Sequence, residues 1–117
     1  MVRVLILFCL LVSASTQAQK TRPIPVIFDS DMGPDYDDVA AITLLHAFAD
    51  SGYINILATV ASTKYEGVAA VFNVLNTYFN RPGLLIGVPK GKALEIKDNQ
   101  HWTDTLLLKY PHEIKKN

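Results

Sequence analysis

Five of the ten residues from 29 to 38 are aspartates: Asp29, Asp31, Asp35, Asp37 and Asp38. Carboxylates this close repel one another by the order of a few kcal/mol per near pair at an effective dielectric of about 20. Something must offset that cost. The start of a helix would offset part of it, because unpaired backbone N–H groups and the helix dipole favour Asp37 as an N-cap and Asp38 in the first turn. That account leaves out Asp29 and Asp31, which directly follow the apolar run Ile24-Pro25-Val26-Ile27-Phe28. A hard divalent cation accounts for more of the group, since calcium takes about six to eight oxygen ligands. An EF-hand loop does not fit. Counted from Asp29, Ala40 stands where that loop needs an acid and Pro34 where it needs glycine. The ligands must therefore be gathered by the fold rather than by one loop.

The elements around the aspartates alternate. Residues 25 to 29 read as a short buried strand, and 38 to 50 as a helix with Val39, Ile42, Leu45 and Ala49 on one face and Thr43, His46 and Asp50 on another. Ser51-Gly52 stops that helix, and residues 54 to 61, INILATVA, form a second buried strand. A second helix is expected over 66 to 80, with Val68, Val71, Phe72, Leu75 and Phe79 inward and Asn73, Asn76 and Asn80 outward. Arg81-Pro82-Gly83 then turns the chain into a third strand at 84 to 88. Trp102, Leu106 and Leu107 suggest one more helix, ended by Pro111. Strand and helix in alternation with short connections imply an α/β fold, a parallel sheet with right-handed crossovers and helices on both faces. Ligands of such sheets sit beyond the carboxyl ends of the strands, where the aspartates lie.

Composition narrows the class. The chain has 117 residues, half of them hydrophobic, and a formal net charge of zero. It can build a core, and its scattered lysines make neither a nucleic-acid stripe nor a basic membrane patch, so the expected partner is a small molecule. Residues 1–18 read as a signal peptide: Arg3, the apolar run VLILFCLLV, and small residues at Thr16 and Ala18. The apolar run is too short to span a bilayer, which needs about 18 to 20 residues. The single cysteine, Cys9, lies inside it, so the mature segment from Gln19 would carry no thiol. The expectation is a secreted or periplasmic protein with no stable membrane association after cleavage, and one domain over 19–117.

The segment Phe28-Asp29-Ser30-Asp31-Met32-Gly33-Pro34-Asp35-Tyr36-Asp37-Asp38-Val39-Ala40 resembles the N-terminal signature of the inosine-uridine preferring nucleoside hydrolases, usually D-x-D-P-G-x-D-D-A. Met32 replaces the usual proline, and two extra residues precede the Asp37-Asp38 pair, a spacing similar to the G-N-D-x-D-D variant of secreted bacterial members. LATVAST at 57 to 63, NTYFNRPGLLIGVPKG at 76 to 91 and KYPHEIKK at 109 to 116 extend the resemblance over most of the mature segment. The resemblance implies a Rossmann-like sheet of the nucleoside hydrolase type. It also implies calcium-dependent hydrolysis of the N-glycosidic bond of ribonucleosides, with no organic cofactor. It makes Asp31 a calcium ligand and the acceptor of a proton from water, Asp38 a calcium ligand, Asp37 the partner of the ribose 2′-hydroxyl, and Asp29 a supporting acid. Asp35 falls in the insertion and receives no role, and Ser62-Thr63-Lys64 stands where an asparagine usually follows the second strand. Asn73 matches a further family asparagine only loosely, and the outward face it shares with Asn76 and Asn80 favours a solvated residue. Members of that family are well over twice this length, so the expectation is an incomplete N-terminal part, inactive alone, with a homo-oligomer open to the complete protein.

Two other readings compete. Asp29-x-Asp31 after an apolar strand is similar to the first motif of haloacid dehalogenase-type phosphatases, in which Asp29 would be the nucleophile and magnesium the metal. That motif wants a threonine soon after, where this chain has Gly33-Pro34, and has no use for Asp37 and Asp38. A non-catalytic calcium-binding secreted module is the second. Of the remaining residues, His46 is expected to be solvated, His101 and His112 have no assignable role, and Trp102, Tyr78 and Tyr110 are expected to pack rather than stack on a base.

Overall fold

A computed structural model describes residues 22–117. The signal peptide expected over residues 1–18, with Cys9 inside it, lies outside the described residues. The elements run β1 (Ile24–Ser30), α1 (Asp37–Asp50), β2 (Ile54–Ala61), α2 (Val68–Tyr78), β3 (Leu85–Gly87) and α3 (Trp102–Lys109). The three strands form one parallel sheet in the order β1-β2-β3. The expected α/β class and alternation therefore hold.

The covering of the sheet differs from expectation. Both crossovers step the same way across the sheet, and two connections of one handedness then place both helices on the same face. Along β1 the burial alternates, with Val26, Phe28 and Ser30 toward the helices and Ile27 and Asp29 away from them. The far face keeps Ile27 60% exposed, Leu57 45% and Leu85 72%. A continuous apolar run looked like a strand buried on both sides; the strand order, which periodicity does not encode, makes it one-sided among the described residues.

The pairing also contains an irregularity. Val26 pairs with Ile56 but Ile27 pairs with Ala58, so Leu57 is an extra residue on β2. Such a bulge shifts the alternation by one. Ile54 and Ile56 face the helices before it, Thr59 and Ala61 after it.

The core lies between the inner sheet face and the first two helices, built from Met32, Ile42, Leu45, Ile56, Ala61, Tyr65, Val68, Val71, Phe72 and Leu75. Each fully buried aliphatic or aromatic side chain there contributes about 1.5–3 kcal/mol. Ile42 and Leu45 anchor α1, which ends where Gly52 takes φ 76 and Tyr53 donates its N–H to the Phe48 carbonyl at 3.0 Å. Helix α2 is buried on all sides from Val68 to Asn76, because α3 and the segment after it cover what the sheet does not. The outward face expected for Asn73 and Asn76 is thus overturned. Asn73 accepts the backbone N–H groups of Glu113 (2.7 Å) and Ile114 (3.3 Å) and donates to the Pro82 carbonyl (3.3 Å). At the other end of α2, Asn117 accepts the Ala69 N–H at 3.1 Å, a cap that Gly67 has no side chain to supply. Asp98 accepts the N–H of Trp102 and starts α3, and Tyr110 turns extended ahead of Pro111 and ends it, as the sequence indicated. No helix among the described residues is long and apolar enough to cross a membrane.

Candidate metal centre after the first strand

The strand delivers its carboxylates to two places. Asp29 belongs to the row Asp29-Val60-Gly87 and lies exposed on the uncovered face. Ser30, the last residue of β1, turns inward, and the chain then leaves the sheet. Asp31 is half-buried beside Asp38, close enough for their carboxyls to share a hydrogen bond.

The loop that follows is held at its backbone. Met32 is fully buried with φ 40, a left-handed conformation that costs a non-glycine residue on the order of 1 kcal/mol or more. Its N–H donates to the Ser30 hydroxyl oxygen at 2.9 Å and to Asp38 Oδ2 at 3.0 Å. Its carbonyl accepts the Tyr65 hydroxyl at 2.7 Å, and the next carbonyl, of Gly33, accepts the Trp102 indole N–H at 3.2 Å. Gly33 packs closely here: a Cβ would lie 3.0 Å from the Ile96 carbonyl oxygen, so a side chain would need that backbone to give by a few tenths of an ångström. Burial, followed by the nearby carboxylates of Asp98, Asp104, Asp31 and Asp38, pushes the Tyr65 phenol well above its usual range, so it keeps the proton it donates. Trp102 packs as expected, its ring tilted against Tyr36 with centroids 5.9 Å apart.

Helix α1 opens with Tyr36 as its cap residue and no side-chain cap, so Asp37 is the first helical residue rather than the N-cap. Asp35, Asp37 and Asp38 each offer a carboxylate oxygen, and the three oxygens lie within 4.8 Å of one another. Their titration reflects the crowding. A hydrogen bond with Asp37, above the charges of Asp37 and Asp31, raises the Asp35 pKa, while the same bond lowers that of Asp37. Asp38 is raised chiefly by burial and then by Asp31, against hydrogen bonds from Ser30 and the Met32 N–H.

The three carboxylates could hold a hard metal ion such as calcium. Oxygens at about 2.3–2.6 Å from such an ion are at most about 5 Å apart, and carboxylates are the donors it prefers. The structure thus brings together Asp35, Asp37 and Asp38, with Asp31 beside Asp38, and leaves Asp29 on the uncovered face of the sheet. Asp35, assigned nothing from the sequence, joins the group. Its signal was the spacing Asp-Tyr-Asp-Asp at the mouth of a helix, obscured because the resemblance treats that stretch as an insertion.

Thr63 donates its hydroxyl to the Leu94 carbonyl at 2.7 Å and Lys64 its N–H to the same oxygen at 2.8 Å, so this segment secures a neighbouring loop. His46 is not solvated. It is fully buried between Asn76 and Arg81, because the helix face it occupies is covered by α2. His101 pairs with Asp104 at the surface, and His112 contacts the Tyr110 carbonyl oxygen. A 230 Å³ groove lined by residues such as Val39, Thr43, Tyr78 and Tyr110, and a 520 Å³ one beside Ile24, Phe48 and Tyr53, are apolar, and no aspartate lines either. Comparison with family models, with curated proteins and with solved structures found no match to this chain.

Proposed function

We propose that this chain carries the calcium-binding and water-activating part of an exported enzyme that hydrolyses the N-glycosidic bond of ribonucleosides, on a sheet of the nucleoside hydrolase type. The observation that carries the reading is the convergence of Asp35, Asp37 and Asp38 after β1, at oxygen spacings a calcium ion can bridge, with Asp31 beside Asp38. Asp35, Asp37 and Asp38 would hold the ion, with Asp31 against Asp38 at its edge. Calcium supplies a fixed charge that acidifies water and orients sugar hydroxyls. Asp31 takes the proton of the attacking water as its oxygen bonds to the anomeric carbon, and the electrons of the breaking C–N bond leave with the base. Asp37 accepts the hydrogen bond of the ribose 2′-hydroxyl. The clustered negative charge stabilises the oxocarbenium-like transition state. The phosphatase reading has less support, because Asp29 is exposed on the uncovered face of the sheet while Asp31 is half-buried beside Asp38. The binding-module reading draws on the same carboxylates, and catalysis separates the two.

The test has two stages. For this chain, calcium titration followed by thermal unfolding should show stabilisation with an apparent Kd on the order of 10⁻⁴–10⁻³ M, abolished by chelator and weakened by Asp38→Ala. In a longer polypeptide containing the segment, inosine and uridine should release ribose with calcium, and Asp31→Asn should lower kcat by about 10²–10⁴-fold. Release of phosphate from a phosphomonoester in an Asp29-dependent manner, with no ribose released, would overturn the assignment.

A further inference from the structure

The polar side chain buried deepest in α1 is used by nothing above. His46 is 0% exposed and its ring stacks on Phe79, centroids 4.5 Å apart at 17°. Its Nε2 lies 3.1 Å from Asn76 Oδ1, and Asn76 in turn donates to the Thr59 hydroxyl oxygen at 3.1 Å. Its Nδ1 lies 3.3 Å from Arg81 Nη1, which also donates to the Phe79 carbonyl at 3.2 Å. The other guanidinium nitrogen, Nη2, reaches Asp50 at 2.5 Å.

This arrangement admits one protonation state. A guanidinium only donates, so Nδ1 must present its lone pair, and the Asn76 oxygen only accepts, so Nε2 must carry the proton. A second proton, at Nδ1, would face an N–H group and a positive charge 3.3 Å away. The neighbours offer little relief. The second strand contributes Thr59, α2 contributes Asn76 and the turn after it Phe79, all neutral, and the one carboxylate, Asp50, is engaged by Arg81 itself.

We infer that His46 is an acid-sensitive latch: uptake of a solvent proton at Nδ1 expels the Arg81 guanidinium and frees the turn between α2 and β3 from α1. Because Nε2 keeps its proton, the link through Asn76 to the sheet survives, and the release is confined to the Arg81 side. Phe79 moves with that turn, and Phe79 walls the 230 Å³ groove between Val39, Thr43, Val74 and Leu106, so acid also opens the groove. Burial chiefly, with Arg81 adding to it, holds the imidazole below its ordinary range against the opposing hydrogen bond to Asn76 and the charge of Asp50, in the sense the latch requires.

The sign follows from linkage. His46 has its ordinary midpoint near 6.5 once the turn is released and a lower one while the turn is latched, so the latch is complete above pH 6.5 and weakens as pH falls toward the latched midpoint. In that window the opening equilibrium should rise by up to about tenfold per pH unit. The reporters are the amides of Asn80, Arg81 and Leu84, bonded to the carbonyls of Thr77, Asn76 and Arg81, with Ser62 on the Ser30 carbonyl as reference. Hydrogen exchange of the full chain, corrected for intrinsic rates, should show that slope at the three reporters and not at Ser62. Arg81→Met should bring the His46 midpoint, read by imidazole NMR, up toward 6.5 and flatten the slope. A wild-type midpoint at or above 6.5 would overturn the inference, as would flat reporter exchange or an equal slope at Ser62. The wild-type NMR titration decides the matter even if the variant fails to fold.

Discussion

Replacing Asn73 by alanine should detach the C-terminal segment from α2. Asn73 is 1% exposed and holds three backbone groups: the Glu113 N–H at 2.7 Å, and the Ile114 N–H and Pro82 carbonyl at 3.3 Å. A short, well-made bond contributes about 1–1.5 kcal/mol net, and the two longer ones about half that or less each. The backbone partners lie near the surface and recover water when released, so no full desolvation penalty remains. The expected loss is about 2 kcal/mol, or a fall in Tm of roughly 8–16 °C for a domain of this size. Urea unfolding gives the free energy, and trypsin acting at Lys115 and Lys116, with hydrogen exchange at the Glu113 amide, reports the segment itself. A loss under about 0.5 kcal/mol with unchanged Glu113 protection would show that Asn73 does not hold the segment, and the reasoning from its three bonds would fail.

Two further outcomes are expected. Gly67→Ala should cost about 1–3 kcal/mol by urea unfolding, because residue 67 has φ 99 and a Cβ there would lie 3.2 Å from Leu107 Cδ1; an unchanged midpoint would mean that the start of α2 relaxes freely. Leu57→Lys combined with Leu85→Lys should lower concentration-dependent self-association in sedimentation without loss of stability, since both side chains lie on the open sheet face; a wild-type chain that stays monomeric at high concentration would contradict this.

Much of the fold was legible because the helices carry apolar residues at helical spacing and stop at recognisable signals such as Ser51-Gly52 and Pro111. What periodicity reports is one apolar face. It is silent on whether the opposite face is covered, and so it misplaced His46, Asn73 and Asn76, whose polarity suits buried backbone and side-chain partners as well as water. It also cannot number strands across a sheet, so Ile27, Leu57 and Leu85 read as buried. The carboxylates were legible as a converging group, but their directions were not. Asp29 and Asp31 would share one side of a continuing strand; the strand instead ends at Ser30, leaving Asp29 exposed on the sheet and Asp31 half-buried beside Asp38. Asp35 lay hidden because its position is fixed by contact with Asp37 across the helix entrance rather than by any pattern within the strand.

The extra residue Leu57 makes β2 a strand whose parity changes partway. Ahead of it even-numbered residues face the helices, and beyond it odd-numbered ones do. Thr59 meets Asn76 only because the count is shifted there. Were the same residues to pair without the bulge, with Ala58 opposite Phe28 and Val60 opposite Ser30, Val60 would turn inward and Thr59 outward, and the anchor beneath Asn76 and His46 would vanish with no polar residue substituted. A chain one residue shorter at position 57 would keep Thr59 inward by regular pairing, so it is the bulge that lets a strand of this length present Thr59 to Asn76.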